Sequence, residues 1–209
     1  MKIVVIGATG TIGKAVADAL SARHDVIRAS RKGPAPVDIE DAASLTAMFD
    51  RIDNIDAVVC CAPGVSTAMA ARGPFPQLTD AQFEVGIHRM MTQVRLVRAA
   101  LSHVRDGGSI TLTTGQLATR PLPGTSALSL AGAGLEGLIR AAALDMPRGL
   151  RLNGVSPGWI KETMEQSGLD GARGMPAGTL ADFYVAAVEG TMRGTIIDPT
   201  SRVTEGLKS

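Results

Sequence analysis

Aromatic side chains make up only 3% of this 209-residue chain, which has one tryptophan and one tyrosine. A core without them must be packed from Val, Ile, Leu and Ala, the composition of a sheet covered by helices. The only two cysteines, Cys60 and Cys61, are adjacent on an apolar run. They cannot staple distant segments, and reduced thiols fit a cytoplasmic protein. Charge of neither sign prevails: 21 Lys and Arg against 20 Asp and Glu leave a net charge of +1. That excludes a basic stripe for nucleic acid and a polybasic patch for a membrane surface, and favours a small molecule as the partner. No uninterrupted apolar run approaches the ~20 residues of a membrane span, and MKIVVIG is too short for a signal peptide. No metal is expected, and the length suits one domain over residues 1–209.

Short apolar runs alternate with amphipathic stretches. Lys2–Ile6, Asp25–Ser30, Ala57–Ala62, Ser109–Thr113, Leu150–Val155 and Thr195–Ile197 read as strands buried on both faces. Thr11–Arg23, Asp41–Ile52, Thr79–Arg105, Thr125–Met146 and Thr179–Glu189 read as helices, with a shorter one near Lys161–Ser167. Thr79 with Gln82 three residues on has the form of a capping box. This alternation predicts an α/β fold, a Rossmann-type doubly wound parallel sheet in three α/β/α layers. After the second strand RKGPAP leaves no room for a helix, so Val37-Asp38-Ile39 is expected as a short third strand reached by an extended loop. Pro63–Pro76, rich in Gly, Pro and Ala, reads as a loop at the ligand-binding end of a strand.

Gly7-Ala8-Thr9-Gly10-Thr11-Ile12-Gly13 joins the first strand to the first helix. Glycines so placed permit a tight turn, let the backbone approach a pyrophosphate, and let helix pack on strand; the helix N-terminus adds N–H donors. The second strand ends Ala29-Ser30-Arg31-Lys32, without the acid that usually bonds the ribose 2′-hydroxyl of NAD. Arg31 can fork onto a 2′-phosphate and Ser30 can donate to it, so NADP is the expected dinucleotide, with NADPH preferred over NADH.

With that loop placed, later segments show a resemblance. RLNGVSPGWI (Arg151–Ile160) resembles the strand and Pro-Gly turn that follow the catalytic helix of short-chain dehydrogenases/reductases. GSITLTTG (Gly108–Gly115) resembles that family's fifth strand, and VVCCAPG (Val58–Gly64) a variant of its Asn-Asn-Ala-Gly turn. The resemblance runs in order from Met1 to about Asp198. It implies an NADP-dependent oxidoreductase in which Gly7, Thr9, Gly10, Thr11, Ile12 and Gly13 hold the pyrophosphate and Ser30 and Arg31 the 2′-phosphate. Asp38 and Ile39 would meet the adenine, Ala62 and Pro63 the cofactor ribose, and Pro157, Gly158 and Ile160 the nicotinamide. Trp159 could wall the substrate pocket or simply pack.

The resemblance stops at the proton chemistry. The family's Tyr-x-x-x-Lys pair aligns with Leu128 and Gly132 in SALSLAGAGLEGL, its serine with Gly115 and its asparagine with Arg89. The candidates left for handling charge are Thr114, Arg89 and Thr113. A threonine hydroxyl donates a hydrogen bond but is a poor acid, and Thr also suits a strand for its shape alone. Arg89 can stabilise an oxyanion but gives up no proton. Two functions therefore stand side by side. One is reduction of a small carbonyl, enone or imine, where hydride transfer is the cofactor's chemistry. The other is binding of NADP(H) without turnover, as a sensor or regulatory protein; a non-redox lyase or isomerase is a third. Phe83, Ile87, Met90, Val94, Val97 and Leu101 repeat at helical spacing, and with the resemblance this implies a homodimer or homotetramer through the two long helices.

Overall fold

The computed structural model describes residues 1–62 and 71–201. The strands are β1 (Lys2–Ile6), β2 (Asp25–Ser30), β3 (Ala35–Pro36), β4 (Ile55–Cys60), β5 (Val104–Thr113), β6 (Arg151–Val155) and β7 (Ile196–Ile197). They form one parallel sheet of order β3-β2-β1-β4-β5-β6-β7. Helices α1 (Thr11–Ser21), α2 (Ala42–Phe49), α3 (Asp80–Ala100), α4 (Ser126–Asp145), α5 (Lys161–Gln166) and α6 (Ala177–Glu189) connect them. One face of the sheet is covered by Leu45 and Phe49 of α2, Leu96 and Val97 of α3, and Leu135 and Ile139 of α4. The other takes Val16, Ala17 and Leu20 of α1 with Leu180, Phe183 and Tyr184 of α6. Each such fully buried large apolar side chain contributes about 1.5–3 kcal/mol of transfer free energy, so faces made mostly of Val, Ile, Leu and Ala need only a few aromatics among them. The strand order reverses between β1 and β4, which opens a crevice at the C-terminal edge of the sheet.

Three local expectations need correction. The third strand is Ala35–Pro36, just before Val37-Asp38-Ile39: Ala29 pairs with Ala35 and Ser30 with Pro36, and the ladder ends there. Proline has no N–H to donate, which suits this edge position. The helix that opens at Thr79 stops at Ala100 rather than Arg105, because Val104 already pairs with Ile55 in β5, with a register shift before Ala57. The fourth strand correspondingly begins at Ile55 and ends at Cys60. The capping box forms: the Thr79 hydroxyl accepts from the Gln82 amide, and the Gln82 side chain accepts from the Thr79 amide.

Helix α4, with 20 residues and a mean hydropathy of 1.4 over its most apolar window, has the length and composition of a membrane span. Here one side packs on α3 and β6. A Cβ on Gly134 would lie 2.8 Å from the Met90 sulfur, so the glycine is what lets α3 approach.

Candidate functional site

The glycine loop closes the crevice from below. The amides of Gly7 and Ala8 both donate to the Ala29 carbonyl, at 2.9 and 3.2 Å, which ties the end of β1 to the end of β2. Gly7 has φ +81°, and a side chain there would meet the backbone of Cys61 and Ala62 at 3.1 Å. At Gly13 a Cβ would stand 2.1 Å from the Gly7 carbonyl oxygen. Gly10 caps α1 in extended geometry with no side-chain cap, so the first-turn N–H groups of α1 are available to a bound anion. Thr9 and Gly10 are exposed beside it, and the Thr11 hydroxyl donates to Gln166 of α5 at 3.4 Å. These close backbone approaches, which Gly7 and Gly13 permit by lacking a Cβ, hold the loop tight under the α1 N-terminus and fit a dinucleotide pyrophosphate.

The predicted contacts around that cradle separate into reachable and covered groups. Arg31 and Lys32 are exposed at the end of β2. The Ser30 hydroxyl is buried with no hydrogen-bond partner, beneath a turn in which a Cβ on Gly33 would lie 2.6 Å away. Asp38 is exposed and Ile39 buried beyond β3, and Ala62 is half-buried against Gly7. Pro63 lies outside the described residues. Pro157 and Ile160 are buried and Gly158 half-buried; Gly158 packs so closely on Gln116 that a Cβ would stand 2.4 Å from its side-chain oxygen.

Thr113 and Thr114 are neighbours in sequence and opposites in the fold. Successive strand residues point to opposite faces, and the Thr113 hydroxyl turns to the α6 side, 2.7 Å from both the Tyr184 hydroxyl and the Cys60 carbonyl. Thr114 turns to the α4 side, where its hydroxyl donates to Glu136 at 3.2 Å. Glu136 is 2% exposed; it also accepts from the Ser156 hydroxyl and from Arg140, both at 3.2 Å. Leu128, Gly132 and Glu136 follow one another at four-residue intervals, so this buried acid lies on the same helix face as Leu128 and Gly132. Gly132 is filled from outside: a Cβ there would meet that of Ala118 at 3.3 Å.

Arg89 is placed elsewhere, lining a cavity of about 370 Å³ with Glu40, Glu84, Val85 and His88. Burial pulls its guanidinium pKa down while nearby Glu40 opposes the shift. The fold thus keeps Thr113 and Thr114 on different faces and sets Arg89 beside the segment following Asp38 and Ile39. The tyrosine, Tyr184, is fully buried; burial, then the neighbouring Cys61, push its phenol well above its usual range. Burial likewise pushes the Cys60 thiol up to about 12, and Cys61 upward as well.

Two polar groups escape sequence reasoning. Glu136 reads as half of an ordinary helical Glu–Arg pair with Arg140, and only its burial reveals otherwise. The side chain of Gln116, directly after Gly115, donates to Asp198 at 2.9 Å and to Thr200 at 2.6 Å, and its backbone N–H donates to the Pro157 carbonyl at 3.0 Å. Arg120 completes this latch on Asp198. Burial alone would raise the Asp198 pKa, but the bonds from Thr200, Gln116 and Arg120 outweigh it and hold the carboxyl below its usual range.

Comparison with known proteins agrees with this geometry. Residues 4–183 match the family model described as enoyl-(acyl carrier protein) reductase. The chain is 31% identical over 147 residues to enoyl-(acyl-carrier-protein) reductase (NADH) 2 of Rhizobium meliloti, covering 67% of this chain and 54% of that one. It therefore spans about half the length of that curated relative. The crystal structure of the protein lin1944 from Listeria innocua superimposes with a TM-score of 0.85 at 31% identity, over 95% of this chain and 98% of that one. A small-chain dehydrogenase solved in complex with NADPH gives 0.79 at 26% identity, over 95% of each chain. With the glycine cradle in place, nicotinamide-dinucleotide binding follows. The chain belongs to the short-chain dehydrogenase/reductase family.

Proposed function

We propose that this chain is an NADP-dependent reductase that acts on a small enone, imine or carbonyl compound without a tyrosine acid. The observation that supports the proposal is a glycine loop that fits a dinucleotide, in a chain whose helix α4 carries Leu128, Gly132 and buried Glu136 along one face. When bound, the dinucleotide supplies the hydride. Thr114 is the hydroxyl we place near the substrate oxygen; its one proton rests on Glu136 or the Val155 carbonyl and turns from them to donate to the substrate. An enone asks least of such a site, since its enolate takes a proton from water, and an imine can arrive already protonated. The printed names of the relatives support reduction: one is an enoyl reductase that uses NADH, another a dehydrogenase seen with NADPH. For this chain we favour NADP, because exposed Arg31 directly follows β2 and no acid stands there to repel a phosphate.

The test is direct binding of NADPH and NADH, followed by NADPH consumption with ketone, enone and imine panels. The proposal expects NADPH to bind tighter, Arg31→Asp to reverse or erase that preference, and at least one panel member to be reduced. Tight, discriminating NADPH binding with no consumption across the panel would favour the second reading, a nucleotide sensor, for which Leu128 and Gly132 are natural residues.

Assembly is a proposal of the same kind. The outer stripe of α4 presents Leu130, Ala133, Gly137, Ala141 and Leu144 to solvent, with Leu144 86% exposed. An apolar stripe of small residues flanked by leucines suits a second copy of the same helix across a two-fold axis.

A further inference from the structure

We infer that the groove beside Trp159 binds an organic carboxylate with a flat apolar body, and that Arg72 is the residue that reads the carboxylate. This rests on taking the Trp159 edge as the substrate side. The groove, about 550 Å³, is lined by Arg72, Gly73, Pro74, Leu122, Pro123, Gly124 and Trp159. That volume is in the range of small-molecule sites, which join apolar walls to a few placed polar groups. Two of its walls, Leu122 at 44% and Trp159 at 50% exposure, are among the large apolar side chains this fold leaves open to solvent. Rings of proline and tryptophan make flat, stiff walls.

Among the described residues Arg72 is the only charged side chain lining the groove, and its guanidinium makes no ion pair with any of them. Its backbone, in contrast, is pinned from both sides. The Gln82 side chain donates to the Arg72 carbonyl at 3.3 Å, and the next amide, that of Gly73, donates to the Gly124 carbonyl at 3.1 Å. The facing turn is held in the same way: the Thr125 hydroxyl donates to the Leu122 carbonyl at 2.7 Å and accepts from the Leu122 amide at 3.1 Å. A fixed backbone carrying an uncommitted planar fork at the edge of apolar walls is suited to a carboxylate, which takes two parallel N–H bonds from it.

Trp159 is the chain's sole tryptophan, so its emission reports the groove. The full chain, free of cofactor, is titrated with 4-phenylbutyrate and with its uncharged amide, 4-phenylbutanamide. The expected result is a saturable change, with the carboxylate binding at least tenfold tighter than the amide. Arg72→Gln should erase that difference while leaving the affinity for the amide unchanged, and Arg72→Lys should restore part of it. Equal binding of acid and amide, no saturable change with either, or an undiminished acid preference in Arg72→Gln overturns the proposal. No arm uses NADPH or turnover, so failure here is distinguishable from failure of the reductase reading.

Discussion

The Glu136 carboxylate stands 3.2 Å from the Thr114 hydroxyl, joining the middle of α4 to the residue that follows β5. Ser156, from the segment after β6, donates to the same oxygen of Glu136 at 3.2 Å. Removing the acid leaves the buried Ser156 hydroxyl without its acceptor and Thr114 with only its longer bond to the Val155 carbonyl. Glu136→Ala should therefore lower the unfolding free energy by about 2 kcal/mol, as lost buried hydrogen bonds do. Glu136→Gln, which retains one carbonyl oxygen, should cost less. Urea unfolding of the two variants beside the parent measures this, and an Ala variant as stable as the parent would refute the bonding scheme.

Gly13 offers the sharpest test of the cradle. A methyl group there would lie 2.1 Å from the Gly7 carbonyl oxygen, a backbone atom that cannot move alone. Gly13→Ala should force α1 away from the loop, destabilise the chain by about 2 kcal/mol or more, and abolish dinucleotide binding. Gly178→Ala is the control, since a Cβ there meets nothing within 4 Å. Calorimetric titration with NADPH and thermal unfolding on both variants should separate them cleanly.

Asp198 should give the protein an acid-sensitive latch. Its carboxyl is held below the usual range in the folded chain, so the unfolded chain takes up the proton first as pH falls. The contribution is complete above the ordinary aspartate value of about 3.9 and disappears as pH drops through the lower folded value. Wild-type melting temperature should consequently decline more steeply below about pH 4 than that of Asp198→Asn. Parallel curves for the two proteins would remove the latch.

Neither cysteine should react in the native state. Burial holds the Cys60 thiol up at about 12 and raises Cys61 too, so almost no thiolate exists near neutral pH. Iodoacetamide at pH 8 should leave the folded protein unmodified by intact mass and should add two groups in denaturant.

Leu144 and Leu130 test assembly. Each presents a large apolar side chain on the outer face of α4. Leu130→Lys with Leu144→Lys should convert a dimer or tetramer to a monomer in sedimentation velocity without lowering the melting temperature of the subunit. A monomeric parent protein would end that proposal.

The phosphate loop was legible because its signal is local: glycines between a strand and a helix constrain the backbone whatever surrounds them. The alternation of apolar runs announced the layered sheet for the same reason, since a strand buried on both faces must be apolar throughout. The end of α3 was not legible, because Leu101 to Arg105 can continue a helix and only the pairing of Val104 with Ile55 ends it. The third strand failed likewise; which two residues meet β2 depends on how far the loop reaches, not on their own propensity.

For this protein the sequence by itself determined the fold class and the glycine cradle, because each follows from which atoms a residue has or lacks. Only the tertiary structure decided what the remaining polar groups face. It sent Thr113 to Tyr184 and Thr114 to Glu136, set Arg89 beside Glu40, and brought Arg72 and Trp159 to one groove. The physical reason is that a side chain's chemistry is local, whereas its partner and its access to water are set by packing between segments far apart in the chain.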